Sequence, residues 1–146
     1  MKSLKIAGII SLLLMLSLSA SGLKAQDTGI KFFKGTFAEA QAKALKENKL
    51  IFMDAYAVWC GPCKWMAANS FTDAEVAAYY NENFINVKMD MEKGEGPALA
   101  RKYGVRAYPT LYYLKPNGDV AQQTMGAKRP GDLLKLGKKV VGSTTL

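Results

Sequence analysis

Apolar positions along the chain fall into blocks of different period. Phe37, Ala40 and Ala44, with Leu45 beside them, recur at three- and four-residue spacing and predict an amphipathic helix to about Glu47. Thr36 stands three residues before Glu39, a capping-box signature for its start, and Asn48-Lys49 ends it. Leu50 to Tyr56 is a nearly continuous apolar run, as expected of a central strand covered on both faces; Asp54 is its one acidic interruption. A turn at Cys60 leads into a helix to about Asn69, and Thr72-Asp73 caps a second short helix from Ala74 to about Asn81. Phe84 to Met89 alternates as a strand. Gly94 and Gly96 mark a loop, Pro97 opens a helix over Ala98 to Tyr103, and Gly104 terminates it. Thr110 to Leu114 and Val120 to Thr124 flank Pro116-Asn117-Gly118-Asp119, a strong hairpin signal. Pro130 starts a last helix whose apolar face is Leu133, Leu134, Leu136, Val140 and Val141.

Strands alternating with helices, then a hairpin and a packed helix, give an α/β fold: a central mixed β-sheet flanked by helices on both faces. No repeat, linker or low-complexity segment follows residue 26, so residues 26–146 form one domain. A chain of about 120 residues buries enough surface for an independent core.

The first 25 residues read differently. Lys2 and Lys5 precede an apolar segment from Ile6 to Leu18, and no acid occurs before Asp27. That is the profile of a secretory signal peptide, with cleavage expected after Ala25 and, as the alternative, near Ala20 to Gly22. An uncleaved membrane anchor is the competing reading; the apolar run is short for a span of about 20 residues. The formal net charge is +8; removing residues 1–25 takes Lys2, Lys5 and Lys24 and no acid, which leaves +5. The bases are scattered and never interleave with aromatics, which indicates a solvated basic surface and no nucleic-acid partner.

Both cysteines lie in Trp59-Cys60-Gly61-Pro62-Cys63-Lys64, directly after the apolar strand. A loop this short staples a fold poorly, because the entropic gain grows with loop length. A helix starting beneath the pair favours the thiolate of Cys60, with Cys63 in reach as resolving partner. Zinc needs about four ligands, and the chain has no His and no third Cys; c-type haem needs His after the second cysteine, where Lys64 stands. No metal and no cofactor is implied. Asp54, six residues before Cys60 in an apolar strand, carries a carboxyl that burial drives toward its neutral form.

With Asp54 and the Trp59–Lys64 run go Tyr103-Gly104-Val105-Arg106, Tyr108-Pro109-Thr110-Leu111, and Gly126 after the hairpin. In this order and spacing they resemble the thioredoxin family over roughly Phe32 to Val141. The stretches from Ser70 to Val76 and from Met89 to Gly96 are longer than in a minimal thioredoxin. They resemble exported thioredoxin-like proteins and the thioredoxin-like domains of periplasmic disulfide reductases. The helix proline usual one turn after the second cysteine is replaced by Ala68 or a neighbour.

The resemblance implies the thioredoxin fold and a thiol–disulfide oxidoreductase. Cys60 would attack, its sulfur facing solvent at the end of the turn; Cys63 would resolve, and Asp54 exchange a proton with Cys63, with Lys88 as the candidate strand lysine beside it. Pro109 would follow a cis peptide bond, and Trp59, Gly61, Pro62, Tyr108, Pro109 and Gly126 would bind substrate. Expected partners are protein disulfides and an electron-donor thiol protein, a membrane-bound one included. The expected location is the periplasm and the expected direction is reduction. A disulfide oxidase or isomerase is the enzyme alternative. A peptide-binding module with incidental redox activity is the alternative of another class.

Overall fold

The computed structural model describes residues 28–146, and the signal-peptide expectation lies outside them. Local signals set the ends of the elements. Helix α1 is Phe37–Glu47: the Glu39 N–H donates to the Thr36 hydroxyl at 3.2 Å, and the Thr36 N–H donates to the Glu39 carboxylate at 2.7 Å. Asn48 closes it in the left-handed region (φ 51°), which Asn tolerates. Strand β1 is Leu50–Tyr56 and helix α2 is Gly61–Asn69. Helix α3, Ala74–Asn83, runs two residues past the expected end; Asp73 caps it alone, accepting the Glu75 and Val76 N–H groups at 3.0 Å. The Thr72 hydroxyl turns back to the Ala68 carbonyl at 2.8 Å. Strand β2 is Phe84–Asp90, α4 is Gly96–Tyr103, β3 is Thr110–Leu114, β4 is Val120–Met125 and α5 is Pro130–Ser143.

The sheet order is β2-β1-β3-β4. The α2–α3 crossover makes β1 and β2 parallel, while β3 runs antiparallel to both β1 and β4. This is the thioredoxin fold. Side chains alternate across β1. Leu50 and Phe52 face a cluster with Met66 of α2, Val76 and Tyr80 of α3, and Leu133 and Val140 of α5. Ile51, Met53 and Ala55 face a second cluster with Phe37, Ala40 and Ala44 of α1 and Leu99 of α4. A strand apolar on both faces is the consequence. Among the described residues, no helix is long and apolar enough to cross a membrane.

Two expectations are corrected. Leu45 is 73% exposed, because one further residue rotates it about 100° from the Phe37–Ala40–Ala44 stripe. Gly96 is no loop residue: it begins α4, buried so tightly that a Cβ there would lie 1.9 Å from the Asp90 carbonyl oxygen.

Candidate active site

The cysteines sit where β1 hands over to α2. The Cys60 N–H donates to the Ala57 carbonyl at 3.1 Å, which closes the turn. Cys60 is the N-cap of α2, and the Cys63 N–H points at its Sγ at 3.2 Å. Pro62 occupies the first turn, where a missing N–H costs nothing. Gly61 and Pro62 are exposed, and a Cβ on Gly61 would meet nothing within 4 Å. The cysteines are joined by a disulfide with Cα atoms 5.3 Å apart. Cys60 and Cys63 are only 2% and 3% exposed, so the expectation that the Cys60 sulfur faces solvent is not met. The cover is Ala57, Tyr56 and Tyr108, the last from far along the chain.

Asp54 shares the β1 face of Leu50 and Phe52, the face that packs Met66 one helical turn beyond Cys63. It is 1% exposed, and neither carboxylate oxygen has a hydrogen-bond partner among the described residues. Desolvation pushes its pKa up from 3.8 to about 7; the charge of Lys88 pulls the other way and is the weaker influence. Lys88 is the direct partner of Asp54 across the β1–β2 pairing. Its ammonium stands over the Tyr56 ring, 4.8 Å from the centroid, and 6.0 Å from that of Phe32. Among the described residues Lys88 forms no salt bridge with the Asp54 carboxylate, and its ammonium lies against aromatic faces instead.

The Tyr108–Pro109 bond is cis. Pro109 is buried, and its carbonyl accepts the Gly126 N–H at 2.8 Å, which joins the two chain segments beside the cysteines. Gly126 has φ +82°, a conformation suited to glycine. Trp59 is 64% exposed, yet it is held: its indole N–H donates to both Glu92 carboxylate oxygens at 3.0 and 3.1 Å, and its ring meets Tyr108 edge-on at 5.8 Å. Val58, Trp65 and Met125 are further exposed apolar side chains on the segments around this rim. The fold therefore gathers Trp59, Cys60, Cys63, Tyr108, Pro109 and Gly126 at one end of the sheet, with Asp54 beneath α2. Glu92 is a member the sequence reading missed. It lies in a loop 33 residues from Trp59, and no local pattern links the two.

Comparison with known proteins agrees with this fold. The family described as Thioredoxin matches residues 31–139. Thioredoxin 2 of Chlorobaculum tepidum is 34% identical over 97 residues, 66% of this chain and 84% of that protein. A solution structure of a candidate disulphide-isomerase from Bacteroides thetaiotaomicron is 47% identical, with TM-score 0.71 over 83% of this chain and all of that one. The oxidised C-terminal domain of Neisseria meningitidis DsbD is 26% identical, with TM-score 0.61 over 75% of this chain and 98% of that one.

Proposed function

Because this chain belongs to the thioredoxin family and is a thiol–disulfide oxidoreductase, we propose that it is an exported reductant of protein disulfides. The observation that carries the reading is the Cys60–Cys63 pair at the N-terminus of α2, with the buried, partner-free Asp54 on the sheet face beneath that helix. In the reduced protein the Cys60 thiolate attacks one sulfur of a client disulfide. A mixed disulfide forms and the first client thiolate leaves. Cys63 then passes its proton to the Asp54 carboxylate and attacks the Cys60 sulfur, and the second client thiolate departs. The client has gained two electrons, and the protein is left with its Cys60–Cys63 disulfide. A pKa of about 7 lets Asp54 take and return that proton near neutrality. Trp59, Gly61, Pro62, Tyr108, Pro109 and Gly126 form the client groove, Pro109 presenting the backbone of Tyr108 to an extended segment. An electron-donor thiol protein recharges the pair. The charge and apolar pattern of residues 1–25 supports export and, with it, a periplasmic location.

The candidate disulphide-isomerase at 47% identity favours a second reading, an isomerase. The reduction potential separates the two. Equilibration with glutathione is expected to give a value nearer the thioredoxin reference of about −270 mV than the isomerase reference of about −180 mV. The protein should also reduce insulin disulfides when supplied with a dithiol. A potential above about −180 mV would replace the reductant reading with the isomerase or oxidase one.

A further inference from the structure

Beyond the residues of the groove itself lies Lys128, three residues after β4. Its ammonium donates to the Met125 carbonyl at 2.7 Å and to the Gly126 carbonyl at 3.0 Å. Consecutive carbonyls of an extended strand point to opposite sides. Here both reach one cation, because the positive φ of Gly126 folds the chain out of strand geometry. The backbone of Lys128 is anchored as well. Its N–H donates to the Met66 sulfur at 3.4 Å, and its carbonyl accepts the hydroxyl of the fully buried Ser70 at 2.6 Å. Met66 lies in α2 one turn beyond Cys63, and Ser70 is the residue at which α2 ends. On the other side Gly126 is bound to the Pro109 carbonyl. A continuous set of bonds thus runs from the helix that carries Cys63, through Lys128, to Gly126 and Pro109.

We propose that Lys128 is a positioning residue for client binding: it fixes the Gly126 edge of the groove at a set distance from the cysteine-bearing helix. The inference rests on the groove reading above. Without the ammonium, the Met125 and Gly126 carbonyls turn toward water and the edge loosens. Among the described residues the hydrogen bonds of Lys128 go to Met66, Ser70, Met125 and Gly126 and not to the turn that presents Cys60, so that turn should keep its form. An extended protein client should feel the change, whereas a small disulfide that meets only the sulfurs should not.

The test compares Lys128→Met, which keeps the stem and removes the charge, with Lys128→Arg, and uses Trp59→Ala as a groove control. Substrates are insulin and a small aromatic disulfide. Lys128→Met is expected to raise the KM for insulin roughly threefold to tenfold, the scale of one ordinary hydrogen bond's net contribution. It should leave kcat and the small-disulfide rate near wild type, and Lys128→Arg should restore the KM. If Trp59→Ala raises the insulin KM and Lys128→Met does not, the positioning role is wrong and the groove stands. If neither variant moves it, the groove reading fails and takes the proposal with it. An equal loss on both substrates in Lys128→Met would make Lys128 a general structural residue and overturn the proposal.

Discussion

Cys60 and Cys63 carry the same thiol but meet different fields. Cys60 sits at the helix N-cap with the Cys63 N–H directed at its sulfur, whereas Cys63 lies inside the first turn. The two are buried alike, so the difference lies in the donated N–H and the positive end of the helix, which stabilise a thiolate at Cys60. In the reduced protein, Cys60 is therefore expected to be alkylated faster than Cys63 at neutral pH. It should stay reactive well below the ordinary thiol pKa of about 8.5. Alkylation rates of the single-cysteine variants Cys60→Ser and Cys63→Ser across pH give the comparison; a faster Cys63 would reverse the assigned roles. These residues were legible in the sequence because each breaks a local pattern: two cysteines at a turn, an acid in an apolar run. Glu92 and Lys128 break none. Glu92 lies 33 residues from Trp59 and Lys128 lies 58 residues from Ser70, distances at which periodicity carries no signal. The burial of Cys60 escaped notice for the same reason, since Tyr108 reaches it only in the folded chain.

At the scale of elements, the helices with strong end signals began and ended close to where the sequence placed them, and α4 shows why one start did not. Gly96 had no reason in sequence to be helical, and Pro97 reads as the natural first residue. Tertiary packing decides instead: the Asp90 carbonyl and Met91 Cα press against the site of a Gly96 Cβ at 1.9 and 2.7 Å. Only glycine lets α4 start this close to the end of β2, and the turn between them carries Glu92. Around it, Met91 is buried, its N–H donates to the Tyr56 carbonyl at 2.9 Å, and Glu95 accepts the Phe37 N–H at 2.9 Å. Gly96→Ala must move backbone rather than a flexible side-chain end. It is expected to destabilise the protein by about 1–3 kcal/mol. It should also loosen the Glu92 hold on Trp59, visible as a shift in tryptophan fluorescence. Gly61→Ala, with open space around its Cβ, should change stability by no more than about 0.5 kcal/mol. Equal urea midpoints for the two variants would show that the Asp90–Gly96 contact can relax freely.

For the molecule as a whole, a consequence of this site is a stability that depends on one carboxyl. Asp54 titrates near its ordinary 3.8 in the unfolded chain and at about 7 in the folded one, chiefly through desolvation, with Lys88 offsetting part of the shift. Between those two values the folded state binds the extra proton, so stability falls as pH rises through the window. It is highest below about pH 4 as far as this group is concerned, and the loss levels off above the folded pKa. About three pH units correspond to roughly 4 kcal/mol, an upper figure for a buried carboxyl that can relax. The chain contains no histidine, the side chain that most often titrates in this range, which leaves the Asp54 contribution comparatively clean. Asp54→Asn should therefore match the oxidised wild type near pH 4, and above pH 7 exceed it by a few kcal/mol in urea unfolding. If Asp54 accepts the Cys63 proton as proposed, the same variant should also reduce insulin more slowly. Stability gained and turnover lost together would identify a group kept buried for its chemistry at the expense of the fold. Parallel stability curves for the two proteins from pH 5 to pH 8 would mean that the folded protein accommodates the carboxylate without cost. Asp54 could not then serve as a proton reservoir near neutrality.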